Sequence, residues 1–157
     1  MLEYKIERRK ENMAEILYLS GGMSGLTVEE SNGWRIKVKQ DLFAFILNGT
    51  FKVFNPMDSY IHNEYRMNEK EAMQYDLNIL RKSSYVLVYF NDINSLGTAM
   101  EIAIAHELKI PIIGVFDNKE DCKALDTLHP WVYNMCDVML QSLDDAVNYI
   151  KKNYLQI

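Results

Sequence analysis

Short apolar runs alternate with helical stretches along almost the whole chain, and this alternation constrains the fold more than any other feature. Residues 16–19, 51–54, 85–90, 111–116 and 138–140 read as strands. Helical spacing covers about 28–47, 68–82, 98–108 and 143–154, and a long loop follows the fourth strand. Strands separated by helices form parallel βαβ units with right-handed crossovers. The pattern therefore predicts an α/β chain with a flavodoxin-like, doubly wound, five-stranded parallel sheet in the order 2-1-3-4-5. Asn55-Pro56 ends the second strand, because proline cannot continue a central ladder.

A chain of 157 residues, 48% apolar and 25% charged, can bury the core of one globular domain. The reading is a mostly polar leader over 1–13, with Met13 as a second plausible start, followed by one domain over 14–157. A net charge of -5 argues against a nucleic-acid polymer or an anionic membrane as partner, which leaves small molecules. No apolar run approaches the roughly 20 residues that span a bilayer, and the N-terminus lacks the apolar core of a secretory signal. A cytoplasmic location is expected. Cys122 and Cys136 stand without metal-ligand spacing, and three scattered histidines complete no zinc set. Free thiols, no metal and no cofactor are expected.

In parallel sheets of this kind, ligands bind outside the carboxyl ends of the strands. The loop after the first strand reads Ser20-Gly21-Gly22-Met23-Ser24-Gly25, whose amides and hydroxyls could cradle a sugar or a phosphate. It has neither the Lys-Ser/Thr ending of a P-loop nor the Gly-x-Gly-x-x-Gly spacing, so ATP and NAD are poorly supported. Tyr18, two residues earlier, taken alone reads as a core tyrosine.

Two carboxylates stand out. Asp76 falls among Ala72, Met73, Ile79 and Leu80 at helical spacing, so its carboxyl should point inward, where desolvation raises a pKa towards that of a general acid. Glu101 follows the polar loop Asn91 to Gly97 and should sit about one turn into a helix, near unpaired amides and the positive end of the dipole. Gly97 would let backbone approach a ligand. Around Glu101, Met100, Ile102, Ala103, Ile104 and Ala105 leave almost no polar face, which predicts a helix buried on most sides. His106 and His129 have no serine or cysteine nucleophile motif near them, and no Gly-x-Ser-x-Gly elbow occurs.

Together, Leu17-Tyr18-Leu19-Ser20-Gly21, Tyr75-Asp76-Leu77-Asn78 and Ser95-Leu96-Gly97-Thr98-Ala99-Met100-Glu101-Ile102 resemble the nucleoside 2-deoxyribosyltransferases and the related nucleoside 5'-monophosphate N-glycosidases. The resemblance covers residues 16 to about 140. It implies that Glu101 is the nucleophile on the anomeric carbon, that Asp76 serves the nucleobase as acid or base, and that Tyr18 orients Glu101. It also implies a substrate site drawn from Ser20, Gly21, Gly22, Ser24, Asp92, Ser95 and Gly97.

The departures from the family divide the substrate readings. The transferases often carry an aspartate six residues before the nucleophile; here that residue is Ser95, and Asp92 stands three residues further back. Ser95-Leu96-Gly97 is instead similar to the monophosphate glycosidases, whose serine helps hold the 5'-phosphate. Their basic residue in the first loop is replaced by Ser24. The family completes its site from a neighbouring subunit, so a homodimer or larger homo-oligomer is implied, with Trp131 and Asn134 as candidate donors.

Transfer of a 2'-deoxyribosyl group between bases is the first reading, and hydrolysis of a nucleoside 5'-monophosphate the second. A non-catalytic nucleotide sensor is a third. The phosphoribohydrolases that activate cytokinins rank last, because Gly97-Thr98-Ala99-Met100-Glu101 lacks their preceding Pro-Gly-Gly.

Overall fold

The computed structural model describes residues 14–61, 69–117 and 124–155. The leader and Cys122 lie outside the described residues. Five strands form one sheet: β1 (Glu15–Gly21), β2 (Phe51–Phe54), β3 (Tyr85–Tyr89), β4 (Ile112–Val115) and β5 (Val138–Leu140). Their order is β2-β1-β3-β4-β5 and every pairing is parallel, which is the flavodoxin-like arrangement expected from the alternation. The chain winds outward from β1 in both directions, so the β1–β3 boundary is the topological switch point.

Side chains alternate across a strand, and β1 uses that alternation to feed two cores. Leu17 and Leu19 join the core under helices α1 (Trp34–Asp41) and α8 (Leu143–Asn153), with Trp34, Val38, Val147 and Ile150. Tyr18 joins the opposite core, with Leu80 from helix α4 (Glu69–Lys82) and Ile102 and Ala105 from helix α5 (Leu96–Glu107). Both faces of the sheet are thus covered, as an all-parallel sheet requires.

Three helical readings are corrected. The single helix expected over about 28–47 is a π-helical turn (Glu29–Gly33), then α1, then the short α2 (Phe43–Ile46). Leu42 separates α1 from α2 because its φ of -103° and ψ of 5° leave the helical region. Pro56 does more than stop β2. It opens helix α3 (Pro56–Ile61), and Asn55 Oδ1 accepts the Met57 amide at 3.0 Å to cap it. The loop after β4 contains two short helices, α6 (Ala124–Thr127) and α7 (Pro130–Met135). His129 caps α7, with Pro130 in its first turn.

Candidate active site

The site is built where β1 and β3 end. Tyr18 and Ser20, two residues apart, point to the same face of the sheet and meet Glu101 from α5. The Tyr18 hydroxyl donates to Glu101 Oε1 at 2.7 Å, and the Ser20 hydroxyl donates to Glu101 Oε2. Each carboxylate oxygen therefore has one fixed donor, and the group cannot rotate without breaking both bonds.

The expected source of Glu101's polarisation is corrected. Helix α5 begins at Leu96, two residues earlier than the spacing predicts, so Glu101 lies beyond the first turn and its free amides. The cap is local: Ser95 Oγ accepts the Thr98 amide at 3.4 Å and the Thr98 hydroxyl at 2.9 Å. Nor is α5 buried on most sides, since Leu96 and Met100 are exposed. Gly97 is also exposed, and a Cβ there would meet open space.

Burial pushes the Glu101 carboxyl upward, while the bonds from Ser20 and Tyr18 and the charge of Arg35 pull it back. The Tyr18 phenol is raised far above its ordinary value, first by burial and then by the Glu101 charge. It stays neutral and remains a donor. Asp76, 8% exposed on the inner face of α4, is pushed up to about 7 by burial and by the Glu101 charge. Its Oδ1 is buried without a hydrogen-bond partner. Two carboxyl groups in one electrostatic field therefore have different partners and different solvation.

Above Glu101 opens a cleft of about 350 Å³. Gly21, Met23 and Ser24 line it from the β1 loop, and Asp92, Asn94, Ser95, Leu96, Gly97, Thr98 and Glu101 line it from the β3 loop and α5. Both loops lie at the switch point. No basic side chain lines the cleft among the described residues.

Most residues singled out from sequence converge on this place. Ser24, Asp92, Ser95, Gly97 and Gly21 line the cleft, Ser20 and Tyr18 hold Glu101, and Asp76 interacts electrostatically with Glu101 and Tyr18. Gly22 is pinned beside it, its amide donating to Asn91 Oδ1 at 2.8 Å. A Cβ on Gly22 would approach Asp92 Cβ to 2.8 Å, so glycine is required there by close packing. Trp131 and Asn134 do not line this cleft. Trp131 is 73% exposed on α7, and Asn134 donates to the Pro130 carbonyl at 2.7 Å.

Sequence reasoning missed Asn91, which links the β3 loop to Gly22 and to the Glu30 carbonyl. It also missed Arg35, which is fully buried in α1. A signal for Arg35 was available: Ser31, Arg35, Val38 and Leu42 recur at helical spacing, and all four are buried.

No protein-family model matches the chain, and no curated protein sequence matches it. Solved structures do. A conserved protein of Enterococcus faecalis V583 superposes with a TM-score of 0.69 at 15% identity, over 88% of this chain and 98% of that one. A 2-deoxyribosyltransferase of Bacillus psychrosaccharolyticus gives 0.63 at 17% identity, over 85% and 91%. A CMP N-glycosidase of Clostridium botulinum gives 0.53 at 16% identity, over 88% and 98%. The chain shares their fold.

Proposed function

We propose that this chain is an enzyme that cleaves the N-glycosidic bond of 2'-deoxyribonucleosides and transfers the sugar to another base. The observation that carries the reading is Glu101 itself: a carboxylate held on both oxygens by Tyr18 and Ser20, opening on a cleft, in one electrostatic field with Asp76. A 2-deoxyribosyltransferase and a CMP N-glycosidase share the fold, which supports the same class of bond.

In the proposed reaction, protonated Asp76 gives its proton to a ring nitrogen of the departing base. The C1'–N bond breaks with its electron pair going to the base, and a Glu101 oxygen closes on C1' through an oxocarbenium-like transition state. The product is a glycosyl ester and a neutral base. The incoming base then attacks C1' through a ring nitrogen, loses its proton to the Asp76 carboxylate, and frees Glu101. An acid titrating near neutrality suits both directions of this proton transfer.

The electrostatics of the cleft favour a neutral nucleoside. Asp92 and Glu101 face it, and a phosphate dianion would enter without a cationic side chain from the described residues. One observation favours the second reading, a nucleoside 5'-monophosphate hydrolysed to base and sugar phosphate. Ser95, Gly97 and Thr98 line the cleft at the start of a 12-residue helix, where amides and dipole attract anions.

A homo-oligomer is part of the proposal. Met73 on α4, Leu96 and Met100 on α5 and Trp131 on α7 are exposed on neighbouring helices, an apolar surface that suits a second copy. Trp131 and Asn134 would then reach a partner's site.

The test is chromatography with mass detection after incubation with deoxynucleosides or deoxynucleoside monophosphates, with and without free adenine, beside Glu101→Ala. New deoxyadenosine that disappears with Glu101→Ala is the expected result. Free base and deoxyribose 5-phosphate, regardless of adenine, would establish the hydrolase instead. Intact substrates in every arm would overturn both readings.

A further inference from the structure

Arg35 is fully buried, yet among the described residues no carboxylate lies within 4.0 Å of it. A buried guanidinium is normally ion-paired, so this one needs another account. Its two terminal nitrogens donate to neutral backbone oxygens: Nη2 to the Gly21 carbonyl at 3.0 Å and Nη1 to the Ser31 carbonyl. Its Nε is buried without a partner. The guanidinium also lies over the Trp34 ring, 4.5 Å from its centroid. With no exposed surface, Arg35 cannot touch a substrate.

Its position explains what the charge can reach. Successive residues of a strand face opposite sides, and Ser20 and Gly21 are successive. Ser20 faces α5 and bonds Glu101, whereas a Cβ on Gly21 would point at Trp34 and come within 3.4 Å of Arg35 Nη2. The end of β1 thus separates a fully buried cation on one face from the half-buried Glu101 carboxyl on the other.

We propose that Arg35 is a positioning residue for Glu101: its unpaired charge, locked to the Gly21 carbonyl, keeps the Glu101 carboxylate ionised from across the strand. This rests on Glu101 being the nucleophile of the proposed reaction. The groups acting on Glu101 are Tyr18 and Ser20 from β1, Asp76 from α4 and Arg35 from α1. Of these, only Arg35 carries a positive charge. Burial lowers the guanidinium and the Glu101 charge offsets part of that, and at about 10 it stays charged at neutral pH. The low-dielectric surroundings that penalise both charges also lengthen the reach of their attraction.

The test follows Glu101 directly, by carbon-13 NMR of protein labelled at its glutamate carboxyls, with the signal assigned by its loss in Glu101→Gln. In Arg35→Met the Glu101 titration should move up by about one pH unit, while Arg35→Lys should hold it near the wild-type position. The acid limb of kcat/KM should move with it. A folded Arg35→Met protein whose Glu101 titrates where wild type does would overturn the proposal. If Arg35→Met does not fold, adding Glu101→Gln should restore a cooperative melt, and a double variant that stays unfolded would also overturn it. The NMR readout needs no turnover. An inactive wild type would therefore count against the proposed reaction and leave the Arg35 result standing.

Discussion

Tyr18 and Glu101 stand 83 positions apart in sequence and are joined by a 2.7 Å hydrogen bond. The bond is possible because β1 carries Tyr18 to the face that α5 covers, and the β3–α5 loop brings Glu101 to the end of the neighbouring strand. Replacing Tyr18 with phenylalanine keeps the ring that packs on Phe54, 5.3 Å between centroids, and removes only the donor. A hydrogen bond to a charged group contributes about 1.5–3 kcal/mol. Tyr18→Phe should therefore fold, bind substrate with nearly unchanged KM, and lose about 10- to 100-fold in kcat. Steady-state release of free base checks this, and an equal change in KM would point to direct substrate contact instead.

Asp76→Asn tests the acid. With its carboxyl raised from an ordinary 3.8 to about 7, folded Asp76 holds a proton that the unfolded chain has released across that window. The folded state binds more protons there, so this group's contribution to stability falls as pH rises from about 4 to 7. After discounting for solvent screening, the loss is on the order of 2 kcal/mol. Glu101 is raised too and acts in the same direction. Denaturant melts should show a shallower decline in Asp76→Asn than in wild type; parallel curves would mean that Asp76 is not the raised group. Base cleavage should fall by about 10²–10⁴ and lose its decline above neutral pH.

The sheet order was legible because parallel βαβ units leave few alternatives once five apolar runs alternate with helices. Asp76 was legible for a related reason: a carboxylate on the apolar side of α4 has only one direction to face, and the structure buries it with Ala72 and Leu80. The fate of α5 was not legible, because an apolar sequence specifies a preference for burial without saying what covers Leu96 and Met100. Leu42 was equally silent. Leucine is a good helix former, so nothing in its side chain marks the point where the backbone leaves the helix. Arg35 escaped because arginine reads as surface, and its burial depends on the Gly21 and Ser31 carbonyls, which come together only after folding.

Gly21→Ala should couple packing to chemistry. A Cβ at this position would meet Trp34 Cζ2 at 2.9 Å and the Tyr89 carbonyl oxygen at 3.0 Å, one a rigid ring and the other backbone. Neither can yield cheaply, so the strand end must shift. The expected cost is about 1–3 kcal/mol in stability, read by denaturant melts. Because Ser20 precedes Gly21 and the Gly21 carbonyl anchors Arg35, activity should fall more than stability alone would explain at temperatures where the variant remains folded. Wild-type kcat in that folded protein would show that the β1 end tolerates displacement.

Ser95→Ala separates the two substrate readings. Ser95 is the N-cap of α5, accepting from Thr98 at both the amide and the hydroxyl, so its loss should lower stability by about 1 kcal/mol and Tm by a few degrees whatever the substrate. The kinetic effect differs. If a neutral deoxynucleoside is the substrate, Asp92 and Ser24 remain to face the sugar, and KM should change by less than about 3-fold, or about 0.7 kcal/mol, the low end of what one neutral hydrogen bond contributes. If a monophosphate sits at the α5 N-terminus, the serine would donate a charge-assisted bond to it, and KM for the monophosphate should rise at least about 10-fold. The same protein assayed with both substrates gives an internal control, since the lost cap affects both equally. The lack of a cationic side chain among the described lining residues makes the first result the expected one.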